Sequence, residues 1–119
     1  LTVIVCFLSA HVTAQEATCG NVDGIEAVRA DNPVVKVAPR YPSQGTFKPI
    51  SGCAVITFSL VAKPGAEGKA LVPDEIEVFH SSEPRFGKAA STAISEWLYS
   101  SKNVKASPRH FTVIQFVLE

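Results

Sequence analysis

The chain has 119 residues, 11 basic and 11 acidic side chains, three cysteines, one tryptophan and no methionine. That length suits one domain, and zero net charge leaves no electrostatic footprint for nucleic acid or a polybasic membrane contact. An apolar share of 46% excludes a disordered chain, and no run reaches the roughly 18 consecutive apolar residues that span a bilayer.

Residues 1–14, LTVIVCFLSAHVTA, carry no acidic or basic side chain. Val3 to Leu8 are apolar on every face, and Val12 and Ala14 stand at the two small-residue positions before a signal-peptidase cut, with Gln15 following. The segment is expected to be a signal peptide whose basic leading region is missing because the sequence is truncated at its start. Two alternatives stay open: a buried strand, which six apolar residues suit equally well, and the remnant of a membrane anchor. A lipoprotein does not fit, because Glu16 stands where a lipobox carries leucine and Thr18 precedes Cys19. The mature chain is expected to be exported.

Export sets the reading of the cysteines. Cys6 leaves with the signal, so Cys19 and Cys53 are the mature pair, and in an oxidising compartment they are expected to form a disulfide. Closing that loop is worth roughly 3–4 kcal/mol in the chain-entropy picture. The alternative is two unrelated thiols. No Cys-x-x-Cys is present, and His11, His80 and His110 lack ligand spacing, so neither metal nor cofactor is expected.

Residues 15–37 are polar, then mildly apolar, without sustained periodicity, and read as a linker or extended arm. Pro39, Pro42 and Pro49 allow only a short helix between them. From Cys53 to Val61 a strand alternates, with Ala54, Ile56, Phe58 and Leu60 on one face and Val55, Thr57, Ser59 and Val61 on the other. Lys63 to Lys69 is a turn-rich connection, and a second strand is predicted over Glu75–His80. After the Ser81-Ser82-Glu83-Pro84 breaker, Phe86, Ala89, Ala90, Ala93, Ile94, Trp97 and Leu98 recur at helical spacing, predicting one amphipathic helix from Phe86 to Tyr99. A last strand is predicted over Phe111–Leu118, with Ile114, Phe116 and Leu118 facing the helix. The expected architecture is α+β, two layers, with a three-stranded antiparallel sheet under one main helix.

Five motifs in order over residues 38–119 resemble one family. They are Pro39-Arg40-Tyr41-Pro42, the alternating strand after Gly52, the Ile76-Glu77-Val78-Phe79-His80-Ser81-Ser82 strand end, the helix with Ala93 and Trp97, and a strand with Phe116 and Leu118. This set is similar to the TonB carboxy-terminal domain. The chain departs from that pattern in the longer Ala62–Asp74 loop, in Ala54 for valine, in Gly45 for alanine, and in the Leu98 that follows Trp97 in place of arginine.

The resemblance implies a short N-terminal helix packed on the same sheet face, and a free edge at the final strand. It implies strand addition there of an extended peptide, the TonB box of an outer-membrane transporter, in TonB-dependent transport. Carried onto this sequence, the peptide-binding residues are Arg40, Tyr41, Pro42, Thr112, Val113, Gln115 and Val117, with packing as the competing role for Tyr41. Location would be periplasmic or secreted, or else inner-membrane anchored and facing the periplasm. From Gln15 to Ala38 the arm spans at most about 80 Å, short for a transducer. The alternative is therefore a stand-alone exported adaptor that binds another periplasmic protein without transducing energy. A homodimer is compatible with either, and no nucleic acid or small-molecule substrate is expected. Ser81, Ser82, His80, His110 and Asp74 could be imagined as a hydrolase set, but no Gly-x-Ser-x-Gly turn surrounds either serine, and the chain is expected to be non-catalytic.

Overall fold

The structure, a computed structural model, describes residues 22–42 and 50–117, together with the backbone of residues 3–7. Seven elements follow in chain order: β1 (Val3–Phe7), β2 (Val28–Arg29), β3 (Gly52–Ala62), β4 (Ala70–Ser81), α1 (Pro84–Ile94), β5 (Tyr99–Ser100) and β6 (His110–Val117). They build one mixed sheet in the order β1-β6-β3-β4-β5, with β2 also pairing to β6. β3 runs antiparallel to both β4 and β6, whereas β1 and β2 run parallel to β6.

The expected three-stranded antiparallel sheet with two helices is thereby corrected. The sheet is larger, mixed and curled, and α1 is the one helix among the described residues. Of the stretch between Pro39 and Pro49, where a short N-terminal helix is expected, residues 39–42 are not helical and residues 43–49 lie outside the described residues, as does Leu118. Two of the extra strands come from segments read as leader and arm. The third, β5, comes from the end of the predicted helix.

β3 explains why an arm is drawn into the fold. Residues 52–58 are all buried, so both of its faces need cover. Ala54, Ile56 and Phe58 pack under α1 with Ile114 and Phe116 of β6. On the back, Cys53 and Val55 join Phe111 and Val113 in a second cluster, closed by Val22, Ile25 and Ala27. The segment read as a linker is therefore a strap. Ala30 donates to the Phe111 carbonyl, Asp31 pairs with Lys105 at 3.0 Å, and Val34 and Val35 bond with Leu98.

α1 starts at Pro84, whose missing N–H costs nothing in a first turn. Phe86, Gly87, Ala90, Ala93 and Ile94 form its buried face. The hydroxyl of Ser81 accepts the Gly87 N–H at 3.0 Å. After Ile94 the amides of Glu96 and Trp97 bond three residues back, and Leu98 then pairs with Val35 while Tyr99–Ser100 pair with Leu71 and Ala70. Strand partners thus outweigh the helical period that Trp97 and Leu98 continue on paper. Trp97 nevertheless stays in the core, almost wholly buried.

Candidate functional site: the outer edge of the final strand

β6 carries no charged residue apart from His110 at its start, and no proline. Its inner side pairs with β3 from Gly52↔Phe116 to Phe58↔His110. Its outer side is shared by two parallel pieces: β2 against His110 and Phe111, and β1 against residues 113–117, from Val3↔Val113 to Phe7↔Val117. The resemblance implied a free edge here; instead, a five-residue extended segment of the same chain lies along it.

The site residues expected from the sequence divide into two groups. Val113, Gln115 and Val117 lie on the back face, opposite Val3, Val5 and Phe7 in register. Val113 and Val117 are buried and Gln115 half-buried. Thr112 is fully buried at the junction between the two outer pieces, paired with Ile56. Tyr41 reaches the same half of β6 from the helix face, its ring edge-on to Phe116 at 6.3 Å and to Phe86 at 5.7 Å. Its hydroxyl donates to the Ile50 carbonyl and accepts the Ile50 N–H, both at 2.6 Å. Those bonds tie Tyr41 to Ile50, so Tyr41 has a packing role. Arg40 and Pro42 lie elsewhere, lining an open groove of about 460 Å³ against Arg85, Lys88, Ala89 and Glu96 on the outer side of α1.

Cys53 is fully buried on the back face beside Val22 and Ile25. Its expected partner, Cys19, lies outside the described residues. Register argues against the other cysteine. Cys6 pairs opposite Phe116 and Cys53 opposite Gln115, with β6 between them. Two strand spacings put the backbones roughly 9–10 Å apart, beyond the roughly 7 Å that a disulfide spans.

The sheet's other edge is built differently. β5 covers only Ala70 and Leu71 of β4, and among the described residues no strand pairs with the outer side of Val72 to Ser81. Val78 and Phe79 are 47% and 42% exposed there. This edge is blunted in several ways: Pro73 lacks a donor, register shifts break the β3–β4 ladder twice, and Glu75 sits at φ 48°. Asp74, Glu75 and Glu77 add charge. The Arg109 guanidinium holds this distortion from the back face, donating to the Glu75 carbonyl and the Thr57 hydroxyl at 2.8 Å and to Glu77 at 3.1 Å.

The imagined hydrolase residues are dispersed. The Ser81 hydroxyl bonds the Glu83 carbonyl and the Gly87 amide, and the Ser82 hydroxyl accepts the Cys53 N–H at 3.0 Å. Asp74 and His80 are exposed on β4. His110 lies two strands away, buried and stacked on Phe58 at 6.1 Å, its Nδ1 without a hydrogen-bond partner. Burial pushes the His110 pKa down, partly offset by the negative charge of Asp31 and a bond with the Ser107 backbone. Burial likewise drives the Tyr99 phenol far up. Lys105 beside Asp31 holds that carboxyl below its ordinary value.

Among the described residues no cluster of His, Cys, Asp or Glu could hold a metal ion, and no helix is long and apolar enough to cross a membrane. Of the two pieces on β6's outer edge, β1 falls on the segment for which the sequence leaves a buried strand open beside a signal peptide, and β2 on the segment that reads as a linker or arm. The one available signal was the second apolar face of Val55, Phe111 and Val113, which required a cover. The chain matches no protein-family model, no curated protein and no solved structure.

Proposed function

We propose that this chain is a non-catalytic binding module that takes an extended peptide segment by strand addition along residues 113–117 of β6. The observation that carries the reading is the occupancy of that edge by Val3–Phe7, a five-residue extended segment paired in register. Main-chain bonds supply most of the affinity in such a mode, and side-chain positions on alternate faces supply selection. The contrast between edges supports the same choice, since β4 carries the proline, bulges and charges that resist pairing and the 113–117 edge carries none. The partner is an extended segment of another exported protein, and the motif resemblance makes the TonB box of an outer-membrane transporter the first probe to try. An adaptor that binds without transducing energy is the form this reading takes.

The test uses isotopically labelled protein purified from the periplasm of expressing cells, titrated with TonB-box peptides and with an apolar heptapeptide. Amide shifts concentrated at Thr112–Val117 are expected. Shifts concentrated along β4, or none with any extended peptide, would overturn the proposal.

A further inference from the structure

We propose that β1 is a built-in occupant of the binding edge, so that the leader-bearing chain is closed and an incoming segment must displace Val3–Phe7. The inference rests on the strand-addition reading above and adds both a control and a partner chemistry.

The two pieces on the outer edge of β6 come from different parts of the chain. β2 continues into a strap tied at Ala30, Asp31, Val34, Val35 and Val37, through bonds to Phe111, Lys105, Leu98 and Trp97. β1 joins the sheet through its ladder to residues 113–117. It also belongs to the stretch 1–14, which ends in the small-residue pattern of a cut before Gln15. Removing that stretch leaves β2 in place and uncovers one set of backbone donors and acceptors. The exposed stretch lacks proline, charge and bulge, and such an edge pairs readily with whatever extended segment is near.

The same geometry defines what fits. Ile114 and Phe116 lie on the helix face, with Phe116 stacked on Phe86 at 4.4 Å. Val113 and Val117 are buried, and of the five only Gln115 is polar. A charge placed opposite any of the four apolar positions would lose its water without gaining a partner. The occupant is therefore uncharged and apolar at the four positions opposite Val113, Ile114, Phe116 and Val117, and runs parallel to β6 as Val3–Phe7 does.

When only about 1–10% of molecules have the edge open, apparent affinity falls roughly 10- to 100-fold. The experiment compares the full chain with the full chain carrying Ile4→Pro and Val5→Pro, of which at least one removes a ladder donor from β1. The probes are a peptide copying residues 2–8 with alanine for Cys6, and the same peptide with glutamate for Val3 and lysine for Phe7, which face Val113 and Val117. The variant is expected to bind the apolar copy at least tenfold more tightly than wild type, and neither protein to bind the charged copy comparably. Equal affinity in both proteins would overturn the competition while leaving strand addition standing. No binding by a folded variant would overturn both, and equal binding of the charged copy would overturn the apolar selection. A measurement on wild type stands should the variant fail to fold. Excess apolar peptide should move the amide signals of residues 3–7 and 113–117 in one exchange process, and shifts at 113–117 with 3–7 unmoved would refute displacement.

Discussion

Trp97 is the side chain on which helix, core and strap converge, and truncating it tests that construction. Its ring is almost wholly buried among the residues under α1, and its Nε1 donates to the Val37 carbonyl at 2.9 Å. The flanking backbone pairs Leu98 with Val35 in both directions, so ring and ladder hold one stretch of strap. Trp97→Ala removes the ring and the bond together. Large aromatic truncations in cores cost about 3–5 kcal/mol, against roughly 5–15 kcal/mol for a whole domain. Trp97→Phe keeps most of the apolar area but strips the Val37 carbonyl of its donor, a loss of about 1–3 kcal/mol. At this chain length each kcal/mol moves the melting temperature by about 4 °C. The phenylalanine variant should therefore melt about 4–12 °C lower, and the alanine variant about 12–20 °C lower. Urea titration followed by far-UV circular dichroism suits both, because the only tryptophan is the residue changed. Amide exchange adds a local readout: Val34, Val35 and Leu98 should lose protection first in Trp97→Phe. A melting temperature unchanged within error in Trp97→Ala would refute the argument, since no buried indole could be removed so cheaply.

Three further predictions follow from particular contacts. A methyl group at Gly52 would meet the Phe86 ring and the Ser82 hydroxyl, both at 2.3 Å, so Gly52→Ala should destabilise by about 1–3 kcal/mol in a thermal melt, and a neutral effect would show the ring free to move. Peptide mapping without reductant should recover Cys19 joined to Cys53, and two alkylated thiols in periplasmic protein would end that proposal. His110 has a depressed folded pKa, so its contribution is complete above its unfolded value near 6.5 and is lost as pH falls below that value. Wild type should thus be less stable at pH 5.5 than at pH 7.5, and His110→Phe should shrink the difference; an undiminished difference would assign the titration to another group.

The sequence made the middle of the fold legible and the edges illegible, for one physical reason. β3, α1 and β6 each bury a face with its own period, so alternation over Cys53–Val61 and three-four spacing over Phe86–Ile94 suffice to find them. By the same alternation Cys53 falls on the face of Val55, in the back-face cluster. β2 and β5 have two residues each, too few to carry any period, and exist because a neighbouring strand offers partners. Trp97 and Tyr99 were read as helical because their spacing continues the apolar stripe, which cannot register that Leu98 finds a better partner in Val35. His110, one residue ahead of the predicted last strand, opens β6 as a buried member of the core face. β1 is the instructive case. Five uncharged apolar residues satisfy a leader core and a strand equally, and composition contains nothing that separates them. Of the residues expected at the site, Thr112, Val113, Gln115 and Val117 lie together on β6, while Arg40 and Pro42 line a groove on α1.

The parallel register also sets a polarity for whatever binds. Along β6, β2 pairs with His110 and Phe111, and the occupant pairs from Val113 onward in the same direction. The amino-terminal end of an incoming segment is therefore brought up to Ala30, whose amide bonds the Phe111 carbonyl at 2.8 Å. There the strap turns off through Asp31 towards Lys105. Chain preceding a bound pentad has to bend away at that point, whereas chain following it leaves past Val117 without meeting β2. Segments close to a free amino terminus should bind best. Ordering one extra residue into a bend costs roughly 1–2 kcal/mol, which corresponds to roughly 5- to 30-fold in affinity. Adding five polar residues ahead of the apolar peptide should weaken binding by about that factor, and adding the same five behind it should change little. A larger loss from the trailing extension would mean that the bound segment runs antiparallel to β6, and equal effects would mean that the strap at Ala30 imposes no bend on the incoming chain.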